Sequence, residues 1–272
     1  MPGSGYGLEM HGPEGLPRFF VTDPPAEGEL ALGPEESTHA ARVLRLGPGD
    51  AFEALDGEGA RWNCELLEVG RRRAVARVLS GPVVEPAPGE PGSDLPWIEA
   101  AIAWPKKGRA EDMLGPLTQL GVASIRPLEA TFSNARKLDA EPPERWHKLV
   151  REAVKQCGRA HLPRFVPPTS IVGLAGELEG AATAVLDQAG SLSLDVWLRS
   201  LPPAGEGRIG TRLRPLRLIV GPEGGFADAE REALLQAGAT FTRLGPHVLR
   251  VEVAALAALA ITTTTLHRYA PP

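Results

Sequence analysis

From Trp97 to the end of the chain, short apolar runs alternate with segments whose apolar residues recur every three or four positions. The runs Trp97–Ala103, Ala123–Leu128, Ala182–Leu186, Leu216–Val220 and Thr240–Leu244 have strand length and lack helical spacing. Glu111–Leu120, Pro143–Cys157, Asp228–Ala237 and Val253–His267 have helical spacing, and Gly121, Gly158 and Gly238 stand where helices end. Strands that alternate with helices imply an α/β unit with a mainly parallel sheet covered on both faces.

The earlier part reads differently. Phe19-Phe20-Val21, Ala51–Leu55, Arg61–Val69 and Arg73–Leu79 are strand-like, with Asp56-Gly57 a turn between two of them and His39–Leu46 a short helix. This is the pattern of a small β-barrel-like module. The segment 80–96 is rich in Pro and Gly, without apolar period, and separates the two parts. The expected organisation is a flexible tail 1–16, a β module 17–80, a linker 81–96 and an α/β domain 97–272.

Composition and charge refine this picture. Gly and Pro make up about a fifth of the 272 residues, below the roughly 25–30% that marks disorder throughout. No apolar run approaches the ~18–20 residues of a membrane helix, and the Gly-rich start lacks the apolar region of a signal peptide. A cytoplasmic protein is expected. Cys64 and Cys157 are too few for a disulfide framework or a zinc set and read as idle thiols. The net charge of −5 argues against nucleic acid, but binding follows local fields. Basic residues cluster at Arg42 and Arg45, at Arg71–Arg73 and Arg77, at Lys106, Lys107 and Arg109, and from Arg145 to Arg164. Each cluster is either a solvated face or part of an RNA-binding surface.

The chemistry sits late in the chain. There is no Walker loop, no G-x-G-x-x-G after the first α/β strand, no G-x-S-x-G and no H-E-x-x-H. Instead Leu216–Val220 runs into Gly221-Pro222-Glu223-Gly224-Gly225-Phe226, and Thr240–Leu244 into Gly245-Pro246-His247-Val248-Leu249-Arg250. Ligands of open α/β sheets bind beyond the carboxyl ends of strands, so two glycine turns there either form one backbone-lined pocket or are two tight turns. Arg250 and Glu252 precede an apolar helix. They are either a surface pair, with Glu252 complementing the helix dipole, or groups facing a reacting substrate.

In these motifs the chain resembles the RsmE family of small-subunit ribosomal RNA uridine-N3 methyltransferases. The resemblance runs from about Arg18 to the end. It rests on Phe19-Phe20-Val21, His39–Leu46, Gly49-Asp50, Lys106–Arg109, Leu120-Gly121-Val122, Ile125–Leu128, Ser133, Gln156-Cys157-Gly158-Arg159, Gly221–Phe226 and Leu244–Ala255. It implies a PUA-like barrel followed by a SPOUT domain with a trefoil knot, S-adenosylmethionine as methyl donor, and a homodimer acting on 16S ribosomal RNA in the decoding region. It further implies cofactor contacts at Leu186, Gly221, Pro222, Glu223, Gly224, Gly225, Leu244, Gly245, Val248 and Leu249. Arg250 and Glu252 would be the catalytic pair, and Arg42, Arg45, Lys106, Arg109 and Arg159 would hold RNA. The helix Val253–His267 suits either the dimer interface or the core of one chain.

The chain departs from the family pattern at Gly115-Pro116, Gln119, His247, Val251 and Val253. Pro116 is expected to kink or shorten its helix, and the two valines replace threonine hydroxyls. These departures keep open a second reading, a non-catalytic RNA-binding or ribosome-assembly protein on the same scaffold. A small-molecule enzyme fits less well beside the basic first module.

Overall fold

The computed structural model describes residues 15–70, 72–93, 95–105, 109–133, 139–202 and 209–266. The expected tail 1–16 lies almost wholly outside these residues, as do Arg71, Lys106 and Lys107. The chain divides into two compact units: the residues up to Glu85 with Val154–His161, and Pro86–Ala153 with Leu162 onward.

The first unit is built on five strands: β1 (Arg18–Phe20), β2 (Glu29–Leu32), β3 (Ala51–Leu55), β4 (Ala60–Val69) and β5 (Ala74–Val84). Their order is β1-β3-β4-β5-β2, antiparallel except for the parallel β1–β3 pair. Alternate positions of these strands, among them Phe19, Phe52, Trp62, Cys64, Leu66 and Ala76, meet in one apolar core. Burial pushes the Cys64 thiol up to about 12, which makes it inert. Between β2 and β3 the single helix expected over 39–46 is instead a short α1 (Pro34–Thr38) running into a π-helical turn, His39–Leu44. Strand β5 runs past its expected end at Leu79 to Val84, into the segment read as linker.

The segment 154–161 joins this unit through charge. Glu53, 2% exposed, accepts from Arg18 Nε at 2.7 Å and from Arg61 Nη1 at 3.1 Å. Arg18 donates on to the Lys155 carbonyl (3.0 Å) and Arg61 to the Gly158 carbonyl (3.0 Å) and to Glu85. The Glu85 carboxylate accepts from Ala160 N at 3.3 Å. The carboxylates and guanidiniums thus pair with one another and clamp the backbone of this segment, with Arg61 Nε left without a partner among the described residues.

The second unit carries β6 (Ile98–Ala103), α2 (Arg109–Gln119), β7 (Ser124–Glu129) and α3 (Glu144–Cys157), whose last turn belongs to the first unit. It continues through β8 (Arg164–Phe165), β9 (Thr169–Ser170), α4 (Ile171–Ala175), β10 (Ala182–Leu186), β11 (Leu192–Ser193) and α5 (Leu194–Ser200). It closes with β12 (Leu216–Val220), α6 (Asp228–Gln236), β13 (Thr240–Arg243) and α7 (Val251–Leu266). The strands form one parallel sheet in the order β11-β13-β10-β12-β6-β7-β8, with β9 also on β7.

Both faces of this sheet are covered, as apolar parallel strands require. Leu216, Leu218 and Val220 of β12 join one core with Ala184, Ile98, Met113 and Leu259; Ile219 joins the other with Val185, Ala101, Phe226 and Phe241. Helix α2 continues through Pro116 to Gln119, so the proline does not shorten it. Helix α7 starts at Val251 rather than Val253, which places Glu252 inside its first turn.

Candidate functional site

Parallel pairing brings the carboxyl ends of neighbouring strands to one edge of the sheet. Val220 of β12 lies opposite Ile102 of β6 and Leu186 of β10, and Leu186 opposite Thr242 of β13. The connections after β10, β12 and β13 therefore emerge side by side, and they enclose a cavity of about 350 Å³. That volume lies at the lower end of small-molecule sites, roughly 300–1,000 Å³. Leu186, Val220, Leu244, Val248, Leu249, Val251 and Ala254 give it apolar walls; residues 221–225 give it a backbone wall; Asp187, Gln188, Glu223 and Arg231 give it polar groups.

Nine of the ten residues expected to hold a cofactor line this cavity, and Gly245 does not. Asp187, Gln188, Val220, Phe226, Arg231, Val251 and Ala254 line it as well. A signal for Asp187 lay in its place directly after an apolar strand. Arg231 had none, standing in the polar face of an ordinary helix pattern. Arg231 donates to Asp187 Oδ2 at 2.5 Å and lies 4.8 Å over the Phe241 ring, which fixes that wall. The Gln188 side-chain amide donates to the His247 carbonyl, tying the first connection to the third.

The glycines do more than leave room for a ligand. A Cβ on Gly221 would lie 2.7 Å from the Phe226 ring, so this glycine seats Phe226 in the core. Gly225 closes a turn on the Pro222 carbonyl (2.9 Å) with φ +75°, a conformation costly for other residues. A Cβ on Gly190 would meet Thr242 and Arg243 backbone at 2.6–2.9 Å, with no flexible side chain to yield. Gly190→Ala is accordingly expected to cost about 1–3 kcal/mol and to weaken ligand binding in the cavity. Thermal denaturation and calorimetry measure both, and an unchanged variant would show that this crossing is loose.

The proposed reacting pair is not part of the cavity lining but alternates in sequence with Leu249 and Val251, which are. Arg250 is exposed, directly before Val251, and its carbonyl accepts from Ala254 N at 2.8 Å to open α7. Glu252 is half-buried, and its Oε2 is buried without a hydrogen-bond partner among the described residues. An unmet buried carboxylate oxygen is costly and calls for a partner from water, a ligand or another chain. Arg109, at the start of α2, lies 3.6 Å from Glu223, which places a cation at the mouth.

The other expected RNA contacts lie in the first unit, apart from Lys106, which is outside the described residues. Arg42 and Arg45 are exposed on and after the π-helical turn, Arg45 with φ 57°. Arg159 differs from them: it is half-buried, and burial lowers its guanidinium to about 10, still charged at neutral pH. Among the described residues no group of His, Cys, Asp and Glu is arranged to hold a metal ion, and no helix is long and apolar enough to cross a membrane.

Two family models match the chain. The RNA methyltransferase domain family matches residues 93–263, and the RNA methyltransferase PUA domain family matches residues 32–79. The ribosomal RNA small subunit methyltransferase E of Mycobacterium bovis is 33% identical over 251 residues, 89% of this chain and 88% of its own. That of Bacillus subtilis is 27% identical over 235 residues, 83% of this chain and 86% of its own. Among solved structures, a candidate methyltransferase of Legionella pneumophila with bound cofactor SAM superposes with a TM-score of 0.76 at 27% identity, over 92% of this chain and 97% of that one. The second unit has the SPOUT methyltransferase fold and the first a PUA-like fold. On this sequence and structural agreement, the chain belongs to the ribosomal RNA small subunit methyltransferase E family.

Proposed function

We propose that this chain methylates N3 of a uridine in the decoding region of 16S ribosomal RNA, using S-adenosylmethionine. The observation that carries it is the cavity beyond β10, β12 and β13, lined by Leu249 and Val251, the sequence neighbours of Arg250 and Glu252. The cavity suits the cofactor's mixed chemistry. Apolar walls accept a nucleoside face, the backbone of 221–225 lies open for polar contacts, and Asp187, Gln188 and Glu223 offer groups for its hydroxyls and amine. Bound there, S-adenosylmethionine supplies an electrophilic sulfonium methyl.

The remaining work falls to the chain. Uracil N3 carries a proton and becomes a nucleophile only as that proton leaves. Glu252 Oε2 is the acceptor in this reading. Arg250 donates to a uracil carbonyl oxygen and holds the charge that develops on the ring. The N3–H bond breaks, its proton passes to the carboxylate, N3 bonds to the methyl carbon, and the carbon–sulfur bond breaks. Leu186, Val220, Leu249 and Val251 keep water from the methyl group. Holding the two reactants in line is worth roughly 7–11 kcal/mol. Arg42, Arg45 and Arg109 offer exposed cations for RNA phosphates. Exposed Val196, Val248 and Val253 provide apolar surface for a homodimer, and the cytoplasm is where the ribosomal substrate would be met. A trefoil knot belongs to the same reading, supported by the tight passage of Gly190 against Thr242 and Arg243.

The purified protein should bind S-adenosylmethionine in a calorimeter. N3 methylation blocks Watson–Crick pairing, so reverse transcriptase should stop at the site in parental 16S RNA and read through in a deletion strain. A stop that persists after deletion would assign the site to another enzyme.

A further inference from the structure

Uracil N3 lies on the Watson–Crick edge, so the target base must leave its stack to be methylated. A base taken from its neighbours needs another flat partner. Among the described residues one phenylalanine or tryptophan is largely exposed: Phe132, at 52%. Every other such ring is buried or half-buried.

Its position is held by three contacts. Ser133 N donates to the Ala130 carbonyl at 3.0 Å, closing a turn with Thr131 and Phe132 at its centre. Thr131 donates from its backbone N (2.8 Å) and its hydroxyl (3.0 Å) to Glu230 Oε1. Glu230 is 5% exposed, and its Oε2 accepts from Ala227 N at 2.9 Å, at the start of α6. Phe132 also lies against the cavity's backbone wall. A Cβ on Gly224 would stand 2.9 Å from Phe132 Cβ and 3.7 Å from its Cγ. The turn is thus anchored from beneath while the ring is left in solvent beside the cavity. What sets this ring apart from the other exposed apolar side chains is its π face, held beside the cavity.

We propose that Phe132 is the stacking platform for the target uridine, a positioning and affinity residue beside Arg250 and Glu252; this rests on the functional reading above. Stacking on an aromatic ring depends on a π face rather than on apolar bulk. Single-turnover transfer to an RNA carrying the target uridine should therefore fall about 10- to 100-fold in kcat/KM for Phe132→Ala. Phe132→Tyr and Phe132→Trp should recover it, and Phe132→Leu should not. S-adenosylmethionine affinity and sedimentation behaviour should match the parent in all four. Full activity of Phe132→Leu would overturn the proposal, because apolar packing or subunit contact would then suffice. So would a parallel loss of cofactor affinity or of the parent's oligomeric state.

Binding of the same RNA without cofactor separates the stacking role of Phe132 from the methyl-transfer reaction. A parent protein that binds RNA through Phe132 yet transfers no methyl leaves the platform standing and removes the uridine-N3 reading. Equal RNA binding and equal transfer by parent and Phe132→Ala removes the platform and leaves the reaction.

Discussion

Replacing Arg250 with alanine is expected to slow methyl transfer by about 10²–10³-fold, the loss typical of removing one preorganised donor to a developing anion. S-adenosylmethionine affinity should stay close to that of the parent. The reason is positional. Arg250 is absent from the cavity lining, while its neighbours Leu249 and Val251 are part of it. The first turn of α7 uses the Arg250 carbonyl, through Ala254 N at 2.8 Å, and alanine preserves that bond. The exposed side chain contributes little to packing. Lysine at this site should restore only part of the rate, since a point charge lacks the planar fork of donors. Single-turnover transfer of a radiolabelled methyl group, beside calorimetry, reads both quantities. Unchanged turnover would remove Arg250 from the mechanism, and a matching fall in affinity would make it a cofactor ligand instead.

Much of this site could be read from the chain because sheet edges concentrate function. Strands β10 and β12 fall on the residues expected, β10 ending before Asp187 and β12 set between Pro215 and Gly221-Pro222. Their last residues, Leu186 and Val220, then point to the connections that line the cavity. Other features lacked a local signal. Strands β8, β9 and β11 have two residues each, and α4 and α5 have five and seven, too few to show a period. Placing 154–161 in the first unit depends on Arg18, Arg61 and Glu85, more than 70 residues away in each case, and no window along the chain shows that. Pro116 in sequence implies a kinked or shortened helix, yet α2 runs through it to Gln119. Gly221 reads as an opening for a ligand; its Cβ position is where the Phe226 ring sits. Arg217 interrupts an apolar run, as a surface charge would. The fold buries it to 5% beside the carboxylate of Glu99, 118 residues away in sequence.

That buried charge carries the largest stability effect expected in the second unit. Glu99 of β6 is register partner of Arg217 on β12, and Glu99 Oε1 accepts from Arg217 Nε at 2.9 Å and from Arg126 Nε at 3.1 Å. Glu177 completes the group, its carboxylate 3.1 Å from Arg126 Nη2 and its carbonyl 3.0 Å from Arg217 Nη1. Glu99→Ala would leave two guanidiniums, 6% and 11% exposed, facing one half-exposed carboxylate. Breaking a buried pair from one side costs about 3–5 kcal/mol, because the remaining charge stays desolvated. The midpoint of urea unfolding should fall accordingly. A Glu99→Leu, Arg217→Met double variant should recover part of that loss, since it removes the desolvation of those two charges and leaves Arg126 its contact with Glu177. Glu99 lies at the amino-terminal end of its strand, away from the edge that holds the cavity, so the folded fraction of Glu99→Ala should still bind S-adenosylmethionine normally. A loss under about 1 kcal/mol would put the group in the class of solvent-screened surface pairs. A double variant no more stable than Glu99→Ala would show that the charges hold the three strands together rather than merely tolerate one another.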